Sequence, residues 1–242
     1  MPFVLHKYKL LWGLAAMALA APLAAQQSGK LEPNTMAARM AACTACHGSQ
    51  GRAGPDGYYP RIAGKPADYL YNQLVYFRSG QRQYRPMQNL LEHMSDDYLR
   101  QIAEWFSGQH PPYADPSPSR LPAAVLDRGR QLVMEGDPRR GVPACVACHG
   151  ASLTGVLPAV PALVGLPHDY ISSQFGAWTN GLRKAIEPDC MADIARRMTP
   201  EDVSAVAGWL SSQPVRSATP SSGLPAPPPM ECGSQMRVEV RQ

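Results

Sequence analysis

The stretch Cys43-Thr44-Ala45-Cys46-His47 decides the fold of this chain, and it returns as Cys145-Val146-Ala147-Cys148-His149. Both copies follow the pattern Cys-x-x-Cys-His, the sequence signature of covalent c-type haem attachment. In such a site the two thiols bond the haem, and the adjacent imidazole binds its iron from one side. One copy is also typical of a redox or zinc-binding pair. Two equivalent copies predict two covalently bound haem c groups, attached through these four cysteines, with His47 and His149 as iron ligands.

The opposite side of each iron needs a second ligand, and its identity decides the chemistry. Methionine, histidine, cysteine or no ligand at all can occupy that position. The other histidines outside the N-terminal segment are His93, His110 and His168, and none of them has a repeated partner. Two equivalent bis-histidine sites are therefore excluded, and we interpret these three residues as ordinary surface histidines.

Two pairs of methionines repeat with the same offset of 104 residues, namely Met87 with Met191 and Met94 with Met198. Met94 and Met198 directly precede expected helix caps, a position that favours packing against the first helical turn. Met87 and Met191 lie eight residues before those caps, in segments expected to be irregular loops. A loop can bring a thioether to the iron without bending a helix, so we predict Met87 and Met191 as the second axial ligands.

The surrounding sequence repeats together with the two motifs. Pro161–Gly165 mirrors Pro60–Gly64, and Thr199–Trp209 mirrors Ser95–Trp105. Five prolines within residues 111–122 predict a semi-rigid, extended linker between the copies. The predicted organisation is a first domain over 26–110, the linker over 111–122, a second domain over 123–214 and a Pro/Ser-rich tail with little regular structure over 215–242.

Two further repeated pairs each have two interpretations. The carbonyls of Pro60 and Pro161 could accept a hydrogen bond from the iron-binding histidine, which would fix the imidazole ring. Alternatively, these prolines only shape a loop. The side chains of Arg82 and Arg183 could pair with haem propionates. Alternatively, they lie at solvated helix ends.

The N-terminal segment has the features of a secretory signal peptide over residues 1–25. His6, Lys7 and Lys9 form a basic region, an apolar run follows, and Leu23-Ala24-Ala25 is a tolerable cleavage site. The run is shorter than the roughly 20 residues of a membrane-spanning helix. The sequence predicts export to the periplasm, with an uncleaved membrane anchor as the alternative, and export agrees with haem attachment outside the cytoplasm.

Charge and the remaining cysteines narrow the function further. The formal net charge of +4 is too small to indicate a nucleic-acid-binding surface. Cys190 and Cys232 remain once the motif cysteines are assigned, and in an oxidising compartment such a pair suggests a disulfide. Free thiols, or a redox-active or iron-binding Cys190, are the alternatives.

Over about residues 35–214 the chain resembles dihaem cytochromes of the cytochrome c4 type. The resemblance is carried by the paired motifs and by Tyr59–Gly64, Asp68–Leu74, Ser95–Asp97 and Tyr113–Pro116. It implies an all-α chain of two tandem class I cytochrome c domains, each wrapped around one haem with histidine and methionine ligands. Family methionines occupy the positions of Met87 and Met191. The chain departs from the family in the short loop before Met87, in Cys190 and in its long tail.

The resemblance also implies the transport of single electrons, rather than enzymatic catalysis, between redox-partner proteins. The donor would be a respiratory complex or a periplasmic dehydrogenase, and a membrane oxidase is one candidate acceptor. One alternative is a dihaem enzyme with an open iron, of the peroxidase or thiosulfate-oxidising type, which only Cys190 favours. Another is a haem-holding subunit that docks on a membrane complex through its tail. Peripheral association with a membrane also stays open.

Overall fold

The structure, a computed structural model, describes residues 34–54, 57–116, 118–215 and 219–235. The predicted signal peptide over 1–25 lies outside these residues. Within the described ranges the regular structure is helical and contains no β-strand, which confirms the expected all-α class. Over the same ranges, no helix has both the length and the apolar character that a bilayer crossing requires.

The described residues of the first half form five α-helices. They are α1 (Met36–Arg39), α2 (Ala41–His47), α3 (Ala67–Arg78), α4 (Arg85–Leu91) and α5 (Asp96–Ser107). Side chains cap the N-termini of α1 and α5. The Thr35 hydroxyl accepts a hydrogen bond from the Ala38 amide, and the Ser95 hydroxyl accepts one from the Tyr98 amide. Helix α3 packs against both α4 and α5, and these contacts enclose the first hydrophobic core.

The second half repeats this arrangement with five more helices. They are α6 (Ala123–Met134), α7 (Val146–His149), α8 (His168–Thr179), α9 (Cys190–Arg197) and α10 (Pro200–Ser211). Thr199 and Asp202 form a reciprocal capping box at the start of α10. Helix α10 packs on α6 and α8, and α8 packs on α9.

Helices α6 and α10 cross closely at a glycine. A Cβ atom at Gly129 would lie 2.1 Å from the carbonyl oxygen of Ala205, which is far inside contact distance. Trp209 also packs at this crossing, as expected for an aromatic residue between the terminal helices. Helices α2 and α7 correspond, since each ends at its motif histidine; in the described residues the long α6 precedes α7, whereas only the four-residue α1 precedes α2.

The proline-rich linker is held by both halves of the protein. The Arg61 guanidinium donates hydrogen bonds to the carbonyls of Pro111 and Pro112 at 2.5 and 3.2 Å, and it stacks on the Tyr113 ring at 3.8 Å. A Cβ atom at Gly165 of the second half would lie 2.5 Å from the same ring. Tyr113 is thus enclosed between the two halves.

The described part of the tail, residues 219–235, has one short 3₁₀ turn over Gly233–Gln235, in agreement with the expectation of little regular structure. Cys190 and Cys232 form a disulfide. This confirms the expected pairing and removes the alternatives of free thiols and of an iron-binding Cys190.

Candidate haem centres

Each motif histidine ends a helix and is buried beneath the following loop. His47 is 8% exposed and His149 is 7% exposed. Their Nδ1 atoms lie 2.9 Å from the carbonyl oxygen of Pro60 and 2.8 Å from that of Pro161. These contacts confirm the carbonyl interpretation of the two prolines. When Nδ1 donates to the carbonyl, Nε2 is left as the metal-binding atom.

Burial also sets the protonation state of the two imidazoles. It lowers the pKa of His47 and the pKa of His149, and the proline hydrogen bonds oppose this shift only in part. A lowered pKa favours the neutral ring at neutral pH, and neutral imidazole is the form that binds metals.

The four motif cysteines are unpaired, and they lie in surroundings that do not suit a redox pair. Burial raises the pKa of Cys145 to about 12 and also raises the pKa of Cys43 and of Cys148. Reactive Cys-x-x-Cys pairs have a lowered thiol pKa. Among the described residues, no group of three or more His, Cys, Asp and Glu side chains is placed to hold a metal ion. The raised thiol pKa values do not favour a redox pair at Cys43, Cys145 or Cys148.

Each half encloses one cavity, and the motif residues of that half line it. Cys43, Cys46 and His47 line the first cavity together with Met87 and Met94. The second cavity is lined by the equivalent residues Cys145, Cys148, His149, Met191 and Met198. The structure thus brings together all the predicted site residues of each half. In each half, however, the predicted ligand methionine and the other repeated methionine line the same cavity.

The expectation that Met87 and Met191 lie in loops is wrong. Met87 belongs to α4 and Met191 to α9, and both side chains are half-buried. Two local signals start these helices: Pro86 is in the first turn of α4, and the Asp189 carboxylate accepts a hydrogen bond from the Ala192 amide at 3.1 Å. The argument from loop flexibility therefore fails, and the choice of these two methionines depends on their position in the family.

The two cavities meet between the halves. Five residues line both of them: Lys65, Tyr69, Gln73, Tyr170 and Gln174. Backbone hydrogen bonds join the halves beside this region, from the Gln83 amide to the Leu182 carbonyl at 2.7 Å and from the Lys184 amide to the Gln81 carbonyl at 2.8 Å. Groups bound in the two cavities would be close neighbours.

Arg82 and Arg183 are exchanged arginines: each donates a hydrogen bond across this junction to the other half. Arg82 donates to Gln73 of its own half at 2.9 Å and to Gln174 of the other half at 2.7 Å. Arg183 donates to Gln174 at 2.8 Å and to Gln73 at 3.0 Å. Both arginines are buried, so the interpretation as solvated helix ends is wrong.

Lys65 is a residue of this junction that the sequence analysis missed. It is buried, it lines both cavities, and burial lowers its pKa to about 8. Because Leu166 occupies the equivalent position of the second half, comparison of the repeats cannot single out Lys65. The ion pairs found in the described part of the chain give no carboxylate partner to Lys65, Arg82 or Arg183.

These donors and charges fit a covalent haem in each half. Two thiols would attach a c-type haem covalently in each half, and an imidazole with Nε2 available and a thioether would bind its iron. Apolar side chains line most of each cavity, and the buried cations of the junction suit propionate carboxylates. Fold and donor set together define a c-type cytochrome with two haems.

Comparison with known proteins is consistent with this class. The chain is 39% identical over 175 residues to the "Thiosulfate dehydrogenase electron acceptor" of Thiomonas intermedia (strain K12), covering 72% of this chain and 80% of the relative. It is 30% identical over 220 residues to cytochrome c4 of Stutzerimonas stutzeri, covering 86% of this chain and 97% of the relative. No family model matches the chain.

A solved structure of reduced recombinant cytochrome c4 from Pseudomonas stutzeri is similar, with a TM-score of 0.64 and 28% identity over 73% of this chain and 95% of that one. The chain belongs to the cytochrome c4 family of dihaem electron-transfer proteins. It carries two covalent haem c groups, it exchanges electrons with other redox proteins, and it is not an enzyme. The dihaem-enzyme alternative also loses its one supporting feature, because Cys190 is disulfide-bonded.

Proposed function

We propose that this protein accepts single electrons in the periplasm from a dehydrogenase of the thiosulfate-oxidising type and passes them to a terminal acceptor. The relative named as an electron acceptor of thiosulfate dehydrogenase shares 39% of the aligned residues, against 30% for the cytochrome c4 of S. stutzeri. This difference supports a thiosulfate-oxidising dehydrogenase as the donor in preference to a quinol-oxidising membrane complex.

The proposed haem-binding units are residues 26–110 and 123–214. Cys43 and Cys46 attach the first haem, and Cys145 and Cys148 attach the second. The axial ligands are His47 with Met87, and His149 with Met191. A haem held in this way would supply one-electron chemistry at its iron, and a thioether ligand would favour the ferrous state.

The observation that carries the proposal is the shared wall of the two cavities. Because Lys65, Gln73 and Gln174 line both cavities, haems held in the two sites would be close neighbours. The Pro60 and Pro161 carbonyls hold the histidine rings in a fixed orientation. A fixed ligand geometry limits the rearrangement that accompanies each electron, which suits rapid transfer.

Rapid mixing tests the choice of donor. Purified thiosulfate dehydrogenase with thiosulfate is mixed with the ferric full-length holoprotein, and haem reduction is followed by absorbance. We expect full reduction, with one electron for each haem, at a rate that increases with the concentration of the chain. A mixture without thiosulfate is the control. No reduction by the dehydrogenase, together with rapid reduction by a quinol-oxidising complex, would assign the donor to the membrane instead.

A further inference from the structure

The described tail runs along one edge of the second cavity and begins on its histidine side. The Leu157 amide donates to the Ser221 carbonyl at 2.8 Å, and the Ser221 amide donates to the Gly155 carbonyl at 2.9 Å. Gly155 and Leu157 belong to the loop that follows His149. The start of the tail is therefore fixed beneath the imidazole side of the cavity.

The far end of the tail is fixed on the methionine side. Cys232 is bonded to Cys190, the first residue of α9 and the direct neighbour of Met191. The Gly233 amide donates to the Pro188 carbonyl at 3.0 Å. A Cβ atom at Gly233 would lie 2.4 Å from the Glu187 carbonyl oxygen, so only glycine allows this close approach.

Around its far anchor the tail lines the cavity and contacts the first half. The tail residues that line the second cavity are Met230, Cys232, Ser234 and Gln235. The Asn72 side chain of α3, which is only 4% exposed, donates to the Ser234 carbonyl at 3.3 Å. A buried amide group of the first half is thus satisfied by the tail, which indicates a docked segment rather than a loose end.

We propose that residues 219–235 form a strap that closes the second cavity and, through the Cys190–Cys232 disulfide, holds Met191 in place against external ligands. Cys190 and Cys232 are positioning residues, because they act through Met191. The proposal rests on the proposed ligand role of Met191.

In the described residues of the first half no disulfide or tail segment lies over the cavity, which makes that half an internal reference. Pro86 occupies the position equivalent to Cys190, and Met87 follows it. Tyr58 and Leu90 line the first cavity and are exposed, at 61% and 38%. The strap therefore distinguishes the two sites, closing the second and leaving the first accessible at its rim.

Cyanide titration of the ferric full-length holoprotein tests the strap. All variants carry Met87→Ala, so that the charge-transfer band between thioether and iron reports only the second site. Two changes disturb the strap: the pair Cys190→Ser with Cys232→Ser removes the disulfide, and Gly233→Val lifts the tail while keeping both cysteines. Gly223→Val is the matched control, since a Cβ atom there meets nothing within 4 Å.

We expect both strap variants to lose the band at a cyanide concentration about tenfold lower than the parent needs. In the parent, cyanide binds only to a minor open state of the second site, so its apparent affinity falls in proportion to the population of that state. Gly223→Val should match the parent. If the strap variants also match the parent, the strap has no role at Met191 and the proposal is wrong. A band that persists in Met87→Ala with Met191→Ala would instead overturn the ligand assignment, and the strap's role with it.

Discussion

Met87 and Met94 both contact the first hydrophobic core and both line the first cavity. Met191 and Met198 have the same relation to the second core and cavity. Each half therefore offers two thioethers at the cavity that its motif histidine lines. Removing a ligand methionine takes the sulfur ligand from the iron, whereas removing a core methionine leaves the iron ligands unchanged. Substitution therefore distinguishes the two roles.

Replacing either ligand methionine should change the haem spectrum. We expect Met87→Ala and Met191→Ala each to remove about half of the thioether-to-iron band of the ferric protein, because each leaves one iron without its sulfur ligand. Met94→Ala and Met198→Ala are the matched controls and should keep the whole band. The band is measured by absorbance of the purified ferric holoproteins. Loss of the band in the Met94 or Met198 variant would exchange the two assignments.

Asp202 is a single residue that joins three elements of the second half. Its carboxylate closes the capping box of α10 and accepts hydrogen bonds from Arg128 at 3.1 Å and Arg140 at 2.5 Å. Burial alone would raise the pKa of Asp202, but the hydrogen bonds from Arg140, the Thr199 amide and Arg128 outweigh it and hold the pKa below its ordinary value. The stabilisation by Asp202 is therefore present above the unfolded-state pKa and is lost as the pH falls below it.

Asp202→Asn should lower the free energy of unfolding by about 2 kcal/mol at neutral pH, because two charge-assisted hydrogen bonds are lost and only Asp137 still pairs with Arg128 and Arg140. Thermal unfolding of the holoprotein measures this. Asp127→Asn, a change of the same chemistry at an exposed position, should have almost no effect. Between neutral pH and acidic pH the gap between Asp202→Asn and the parent should close, and a constant gap would contradict the role of the charge.

At the scale of elements, the contact between α6 and α10 depends on one absent side chain. Gly129→Ala should lower the free energy of unfolding by about 1–3 kcal/mol, because the added methyl group collides with the backbone of α10 rather than with a movable side chain. Gly176→Ala is the control: it lies within α8 and a Cβ atom there meets nothing within 4 Å. It should stabilise α8 by up to about 1 kcal/mol. Equal effects of the two changes, measured by thermal unfolding, would show that the crossing is not tight.

The short helices α4 and α9 explain an error of the sequence analysis. Seven and eight residues are too few for a convincing helical period. Their start signals, Pro86 and Asp189, are also typical of turns. Packing of α3 on α4 and of α8 on α9 stabilises both helices, and such contacts between distant segments cannot be inferred from either segment alone.

At the scale of the molecule, the exchanged arginines join the halves. Arg82 also stacks on Phe77 at 4.5 Å, and Arg183 stacks on Trp178 at 3.9 Å. This arrangement repeats the same contacts in both directions, so each half supplies one guanidinium and one glutamine to the other. A change on either side should therefore have a similar effect.

Arg82→Ala and Arg183→Ala should each lower the free energy of unfolding by about 2 kcal/mol, because buried amide and phenol acceptors lose a charged donor. The loss of contact should also make the two halves unfold in separate steps of a calorimetric scan. Arg85→Ala, which removes an exposed arginine near the same cavity, is the control. If all three variants unfold as the parent does, the exchanged arginines do not hold the halves together.

The sequence by itself determined the attachment motifs, the internal repeat and the helical class, and it suggested the pairing of Cys190 with Cys232, which the structure then decided. These features depend on spacing and residue chemistry along the chain, so they can be inferred from the sequence. Only the tertiary structure decided that Arg82 and Arg183 cross between the halves, that Lys65 lies where the two cavities meet, and that the tail closes the second cavity. Each of these is a contact between segments far apart in the chain, and local patterns contain no information about such distances.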